Sequence, residues 1–290
     1  MTLLLLVLIA AAAAALVSAL SWRWAGPTRA PEAPAAGAAR RAGAAMKGHP
    51  ALTARLNPEA ATGLALTLAL LVVVAGGVAF GVLAYLVRGD TDMVQFDRSV
   101  ADWGHAHASP FSVDGLEAVT FFGEPRMVVV LAVILAVVET MRTRNRWIVP
   151  FVLVVVAGNG ILTTSVKQLA DRVRPAVNPV AETLGPSFPS GHSSWSAAFF
   201  AAAALLLSRG RDRRARAAIA GLAAGCAFMI AGSRVLLSVH WLSDVIAGLA
   251  LGAAWFCLCA IAFGGRLLQF GAPAEEAARV ARGANPSFYN

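Results

Sequence analysis

Six long runs of apolar residues, separated by short polar connections, dominate the chain from residue 62 onward. A helix needs about 20 predominantly apolar residues to cross a bilayer, and these runs have that length or close to it. The predicted spans are Thr62–Val87, Val119–Val138, Trp147–Val166, Ser193–Leu207, Ala217–Ser233 and Trp241–Phe263. The pattern therefore predicts an all-α fold, a polytopic membrane helical bundle with six core transmembrane helices.

A seventh apolar run, Leu3–Leu20, opens the chain and permits three interpretations. It is an extra N-terminal helix, a signal sequence, or translated filler ahead of a true start at Met46. Residues 21–61 are rich in Ala, Pro, Gly and Arg without an apolar period, which is typical of a linker. The predicted organisation is thus an N-terminal region over residues 1–61, a six-helix domain over 62–266 and a tail over 267–290.

Composition supports the membrane assignment. The 290 residues are 58% hydrophobic and only 14% charged, whereas soluble domains are nearer a quarter charged. The net charge of +8 is spread between the apolar runs and does not form one basic surface, so we predict no nucleic-acid partner. The sequence leaves the oligomeric state open.

The distribution of Lys and Arg predicts how the bundle is oriented. The segments 21–61, 139–146, 208–216 and 264–290 contain 17 of the 24 basic residues, and the opposite side, counted with the adjoining ends of the spans, carries ten of the sixteen acids. Basic residues concentrate in cytoplasmic connections. We therefore expect a membrane protein whose core begins and ends in the cytoplasm, with the connections after the first, third and fifth core helices facing outward.

Three polar segments lie on the predicted outer side. We define the first motif as Lys167 to Arg174-Pro175, the second as Pro189-Ser190-Gly191-His192, and the third as Ser233-Arg234 to His240 and Asp244. The four basic segments that define the cytoplasmic side contain none of these motif residues. Three helix ends that share one face of the membrane are expected to converge on one site.

The cations of these motifs favour an anion as the ligand. Lys167, Arg174 and Arg234 would repel one another near hydrocarbon, where each is costly. A phosphate dianion relieves that repulsion, and arginine offers it a bidentate fork. Backbone N–H groups around Ser190 and Gly191, at a helix start, add further donors. No cluster of spare carboxylates suggests a metal, so we predict neither a metal nor another cofactor.

The histidines add chemistry to this binding site. His240 and Asp244 are four residues apart, so on a helix they share a face. Asp244 can then fix the imidazole tautomer, which leaves the other ring nitrogen free to attack phosphorus. His192 arrives from another helix and can donate a proton to the leaving oxygen. Together these residues predict a phosphoryl-transfer site.

Lys-x6-Arg-Pro, Pro-Ser-Gly-His and Ser-Arg-x5-His-x3-Asp, in this order, resemble the three-part signature of the type-2 phosphatidic acid phosphatases. Vanadium haloperoxidases are relatives of that family, but they are soluble. Asp97, Thr120 and Gly123 resemble less specific features of bacterial members, and the similarity covers about residues 90–263.

The resemblance implies a metal-independent membrane phosphatase that acts through a phosphohistidine on a lipid phosphate or diphosphate. It implies His240 as nucleophile, Asp244 as its partner and His192 as general acid. The phosphate-binding residues would be Lys167, Arg174, Ser190, Gly191 and Arg234. Among lipids we favour undecaprenyl diphosphate, followed by phosphatidate or phosphatidylglycerol phosphate. The alternatives are a lipid phosphotransferase with the same intermediate and a non-enzymatic lipid-phosphate carrier.

Three further interpretations concern residues near the motifs. Arg172 fits no motif position and is predicted to be solvated. Asn159 and Thr163 continue a four-residue stripe to Lys167, which either leads toward the site or joins helices by hydrogen bonds. Phe121 and Phe122 are interpreted as membrane-interface anchors, with a lipid entrance as the alternative.

Overall fold

The computed structural model describes residues 1–24, 61–89, 91–176 and 185–267. These ranges contain nine α-helices and no strand. In chain order they are α1 (Thr2–Trp24), α2 (Ala61–Leu86), α3 (Asp92–Ala106), α4 (Pro110–Phe121), α5 (Pro125–Thr143), α6 (Ile148–Ala170), α7 (Gly191–Leu207), α8 (Arg213–Leu236) and α9 (Leu242–Leu267). The all-α membrane bundle predicted from the sequence is confirmed. Most of the predicted linker and tail lie outside the described residues.

The helices α1, α2, α6, α8 and α9 are long and apolar enough to cross a membrane. The pair α4 and α5 passes the same criterion when taken together, although the two helices are bent by 47° relative to each other. The helix α7, Gly191–Leu207, is apolar but shorter. Together with α7, these elements account for the six predicted core spans and the additional N-terminal helix.

The predicted second span, Val119–Val138, is wrong at both ends. Helix α4 ends at Phe121 and helix α5 begins at Pro125 and continues to Thr143. Proline has no N–H to donate and disfavours helical geometry in the residue before it. Accordingly Glu124 is extended, with φ −63° and ψ 139°, and the chain turns there.

Two helices occupy a region that we had expected to be a simple connection. Helix α3 buries Asp97, Ala101 and Gly104, which follow the helical spacing of four and three residues. Helix α4 begins with a capping box between Ser109 and Ser112. This periodicity and the cap were present in the sequence, but short amphipathic helices are easily missed beside long apolar runs.

Helix α9 packs against α2, α6, α7 and α8 and so joins much of the bundle. Its contact with the start of α7 is very close, because a methyl group on Gly248 would lie 2.5 Å from the carbonyl oxygen of Ser190. One on Gly252 would lie 2.2 Å from that of Ser194. Small residues four apart allow membrane helices to approach in this way. The second and third motifs are thereby brought together.

The N-terminal helix α1 packs along α8 through a second pair of glycines. Methyl groups at Gly221 and Gly225 would clash with or press against Ala14 of α1, and the Ser18 hydroxyl donates to the carbonyl oxygen of Ala217 at 2.8 Å. Nearer the other end of α1, Leu6 is only 2% exposed. This complementary contact favours the interpretation of Leu3–Leu20 as part of the bundle.

Candidate active site

His240 lies in the short turn that connects α8 to α9. The backbone N–H groups of Val239 and His240 both donate to the carbonyl oxygen of Arg234 at 3.2 Å. Ser238 adopts a left-handed backbone with φ 52°, which turns the chain sharply. The imidazole of His240 is consequently fixed at the end of α8 and is 2% exposed.

One side of the His240 ring faces a carboxylate. Its Nδ1 lies 3.5 Å from Oδ2 of Asp244, an electrostatic contact longer than a good hydrogen bond. The same oxygen accepts a hydrogen bond from the Trp241 backbone N–H at 3.0 Å. Burial lowers the pKa of His240 to about 4, although Asp244 acts in the opposite direction. The ring is therefore neutral near pH 7.

The other side of the ring faces the first motif. Nη1 of Arg174 lies 3.1 Å from Nε2 of His240 and donates to the carbonyl oxygen of Val239 at 2.7 Å. Because a guanidinium only donates, Nε2 must present its lone pair and the ring proton belongs on Nδ1, beside Asp244. This is the tautomer that a nucleophilic Nε2 requires.

Two further cations, Lys167 and Arg234, lie beside this position. Lys167 donates to the carbonyl oxygen of Pro186 at 2.6 Å, and Nη1 of Arg234 donates to the hydroxyl of Thr120 at 2.9 Å. Neither forms an ion pair with any described residue. The buried Nε of Arg234 also has no hydrogen-bond partner there. An oxyanion would satisfy both the charge and this donor.

The second motif forms the start of α7 beside these cations. Gly191 begins the helix after Ser190, and the first intrahelical bond runs from Ser194 N to Ser190 O, so earlier N–H groups of the turn need other partners. A methyl group on Gly191 would meet only Lys167 Cε, at 3.9 Å. The space in front of this helix end is therefore open and borders a cation.

The backbone N–H of Ser190 is not available to an anion, contrary to our expectation for this segment. It donates instead to the carbonyl oxygen of Asp244 at 2.9 Å, and the Ser190 hydroxyl accepts a bond from Ser193 at 2.9 Å. Ser190 thus ties α7 to α9, and only its hydroxyl proton stays available. The N–H groups of Gly191 and His192 are the better backbone candidates.

His192 lies on the first turn of α7, close enough to His240, Lys167, Arg174 and Arg234 to interact electrostatically with each of them. A methyl group on Gly123 would come within 3.3 Å of its Cδ2 atom, so the α4–α5 corner borders the ring. The structure therefore brings all eight predicted site residues to the same end of the bundle.

The stripe Asn159–Thr163 meets α7 inside the bundle. Ser194 donates to Oδ1 of Asn159 at 2.8 Å, and Thr163 donates to Ser194 at 3.2 Å. Both interpretations of the stripe therefore hold in part, because these helix-joining bonds support the helix that carries His192.

The prediction that Arg172 is solvated is wrong. Its side chain is 10% exposed and forms ion pairs with Asp244 at 2.5 Å and Asp97 at 2.9 Å. Sequence reasoning recognised Asp97 only as a weak family feature and missed Ser243. The signal for Arg172 was its position two residues before Arg174, but spacing alone does not show that a chain reverses to place a side chain behind the site.

Comparisons with known proteins identify the family of the chain. The model of the PAP2 superfamily matches residues 148–267, which contain all three motifs. The chain is 32% identical over 190 residues to lipid A 1-phosphatase of Rhizobium etli, covering 57% of this chain and 76% of that protein. The chain belongs to the PAP2 superfamily and, within it, to the membrane lipid phosphatases.

Two further similarities are to a curated protein and a solved structure from Bacillus subtilis. Phosphatidylglycerophosphatase B of Bacillus subtilis is 32% identical over 120 residues, covering 40% of this chain and 58% of that protein. The crystal structure of a transmembrane PAP2-type phosphatidylglycerolphosphate phosphatase from the same species superposes with a TM-score of 0.60 at 25% identity. That similarity covers 66% of this chain and 96% of the other.

Proposed function

We propose that the protein hydrolyses a lipid phosphate through a covalent phosphohistidine on His240, at the extracytoplasmic face of the bacterial cytoplasmic membrane. The observation that carries this proposal is the contact of Arg174 Nη1 with His240 Nε2 at 3.1 Å. It sets the lone pair of a neutral imidazole among cations that would hold a phosphate. A carrier needs the cations but has no use for this tautomer.

The reaction has two balanced steps. Nε2 of His240 forms a bond to phosphorus while the bond to the lipid oxygen breaks, and His192 donates a proton to that oxygen. The lipid alcohol leaves and phosphohistidine remains. Water then attacks the same phosphorus, loses its proton to His192, and the bond to Nε2 breaks to release phosphate and restore both rings.

Positive charge stabilises the phosphoryl group in both steps. Lys167, Arg174 and Arg234 would bind its oxygens together with the N–H groups of Gly191 and His192. Preorganised donors of this kind contribute a large part of catalysis because they need no rearrangement when charge develops. We propose that these residues suffice and that no metal is required. Turnover should then survive chelation, and a strict requirement for added divalent cation would contradict this part.

The substrate is tested with a panel of lipids. Undecaprenyl diphosphate, phosphatidate and phosphatidylglycerol phosphate remain predictions from the sequence, and the relative from Rhizobium etli, a lipid A 1-phosphatase, adds lipid A 1-phosphate as a fourth candidate. Purified protein in detergent should release phosphate from at least one of them. Release from none, with a folded protein, would contradict the proposed function.

The products distinguish hydrolysis from phosphotransfer. With a labelled substrate and an excess of lipid alcohol, a hydrolase yields free phosphate. Label that moves into the lipid fraction would instead show the phosphotransferase alternative.

A further inference from the structure

An apolar cavity of about 730 Å³ lies between the N-terminal helix and the core of the bundle. Helix α1 contributes one wall through Val7, Ala10, Ala11 and Ala14. Helices α4, α5, α7 and α8 supply the rest, including Ala118, Phe122, Leu131, Phe200 and the α8 residues from Leu222 to Ile230. The cavity thus depends on a helix that lies outside the three-motif domain.

One end of this cavity reaches the phosphate site. Ile230 lines the cavity and stands one helical turn before Arg234 on α8. A methyl group on Gly123 would contact both Ile230, at 2.2 Å, and His192, at 3.3 Å. The neighbouring Phe122 also lines the cavity. Its mouth is therefore separated from the general-acid candidate by little more than the backbone of one glycine.

The depth of the cavity matches one lipid chain. From Ile230 to Leu222 the wall on α8 extends over eight residues, or about 12 Å at the helical rise. The hydrocarbon core of a bilayer is about 30 Å thick, so this depth is most of one leaflet. An entirely apolar chain attached to a phosphate at the mouth would fit this shape.

We propose that this cavity binds an acyl chain of the lipid phosphate substrate and that α1 forms its selective wall. This inference rests on the proposed function and adds the tail specificity to it. The chain enters beside Phe122, which accounts for the aromatic pair at this corner, and descends along Cys226 toward Leu222.

A bulky side chain on α1 tests this proposal. Ala11→Trp would fill the cavity, whereas Ala12→Trp adds the same bulk to the next residue, which is exposed and does not line it. We expect Ala11→Trp to lower kcat/KM for dioleoyl phosphatidic acid at least tenfold more than for dibutanoyl phosphatidic acid, whose chains are too short to reach past Ala11. Ala12→Trp should leave that ratio as in the wild type. An unchanged ratio in Ala11→Trp, with dioleoyl phosphatidic acid still hydrolysed, would overturn the cavity assignment and leave the proposed function intact.

Photocrosslinking gives a readout that does not need turnover. In the His240→Ala variant, phosphatidic acid with a diazirine at the end of one chain should label residues 7–14 or 222–230. Unlabelled phosphatidic acid should compete, and uncharged diacylglycerol should not. Labelling elsewhere, or equal competition by diacylglycerol, would show that only bulk lipid enters the cavity.

A second observation concerns the buried charges behind His240. Nη1 of Arg172 donates to Asp244 Oδ1 at 2.5 Å and to the Ser243 hydroxyl at 2.8 Å, and Nη2 donates to Asp97 at 2.9 Å. Asp97 also accepts from the backbone N–H of Ser243 at 2.9 Å and from its hydroxyl. Asp97, Ser243 and Asp244 are fully buried. One guanidinium therefore joins two buried carboxylates that would otherwise have no cation between them.

We infer that Arg172 is a positioning residue for His240, with Asp97 as its anchor. By holding Oδ1 of Asp244, it leaves Oδ2 facing Nδ1 of the imidazole and keeps the carboxylate charged. This inference is independent of the lipid chain but again rests on the proposed function. Arg172 itself touches Asp97, Ser243 and Asp244, not the nucleophilic nitrogen.

The variant Arg172→Gln should lower kcat about 100-fold with little change in KM, since the phosphate-binding cations remain. The acid limb of its activity, which follows protonation of His240, should move to higher pH, because loss of the nearby Arg172 cation makes the ring easier to protonate. Arg172→Lys should restore part of kcat and should return the acid limb toward its wild-type pH. Arg98→Gln, an exposed site on the helix that carries Asp97, is the control. Loss of kcat without movement of the limb, or a rise in KM alone, would overturn the positioning role.

Discussion

The two sides of the His240 imidazole are built differently. On the Nδ1 side, carboxylates and Arg172 form a closed set of ion pairs. On the Nε2 side, Lys167 and Arg234 contact neutral oxygens and form no ion pair within the described ranges. Buried charges are normally paired. The difference indicates that one side orients the ring, whereas the other is completed by an anion that binds.

The largest loss of activity is expected when His240 itself, where the two sides meet, is replaced. His240→Ala removes the proposed nucleophile and should reduce kcat by at least ~10⁴-fold, as losses of covalent nucleophiles do. His105→Ala, an exposed histidine on α3, is the control and should retain activity. Size-exclusion profiles in detergent check that both variants are folded. Substantial turnover by folded His240→Ala would show that His240 is not the nucleophile, so the two sides of its ring would have no separate catalytic roles.

The second-largest loss of activity is expected on the Nδ1 side of the ring, where Asp244 is proposed to orient His240. Asp244→Asn preserves the shape of the side chain but presents an amide to Nδ1, so the required tautomer is no longer favoured. We expect kcat to fall about 10³-fold while KM changes little, because the phosphate ligands are unaltered. Steady-state kinetics with one lipid phosphate measure this. A rise in KM at constant kcat would instead place Asp244 in substrate binding.

A smaller effect is expected on the binding side. Thr120→Val removes the hydroxyl that accepts the Arg234 bond at 2.9 Å with almost no change in volume. Because the guanidinium of Arg234 is then held less firmly, KM should rise about tenfold, which corresponds to ~1.4 kcal/mol of binding free energy. Thr120→Ser should restore most of the affinity. If Thr120→Val leaves KM unchanged, this hydroxyl does not orient Arg234.

The pH dependence is the mildest test. Since burial lowers the pKa of His240 to about 4, the ring stays neutral well below the ordinary value of 6.5. Activity should persist through pH 5 and fall toward pH 4. The pH at which activity is half lost should be the same for substrates whose phosphate groups differ in pKa. A limb near 6.5 would contradict the burial of the ring.

The same pKa shift affects stability. The unfolded chain binds a proton at His240 near pH 6.5, whereas the folded protein resists it until about pH 4. The stability contributed by the neutral ring is therefore present above pH 6.5 and is lost progressively as the pH falls toward 4.

The sequence was sufficient to predict the number of membrane spans and the residues that meet at one end of the bundle, but it misplaced both ends of the second span. Apolar length determines where helices cross a membrane, and the three motifs carry their chemistry in fixed spacings. The break before Pro125 could also have been found, because proline ends such helices predictably.

The contacts of Arg172 could not be predicted in this way. Asp97, Arg172 and Asp244 come from three separate segments, and their meeting depends on the left-handed turn at Asp171 and on how α3 docks. The hydrogen bond from the Ser190 N–H to the carbonyl oxygen of Asp244 likewise follows from the close approach of α7 and α9. Such contacts arise from packing and leave no local pattern.

In the proposed reaction, phosphorus becomes bonded to His240. This bond can be detected in purified protein that is mixed with a lipid substrate carrying ³²P in its terminal phosphate and quenched during turnover. We expect label on the peptide that contains His240, stable to base, lost in acid and absent from the His240→Ala variant. Turnover with label on another residue, or with no label in a quench faster than the turnover time, would contradict it.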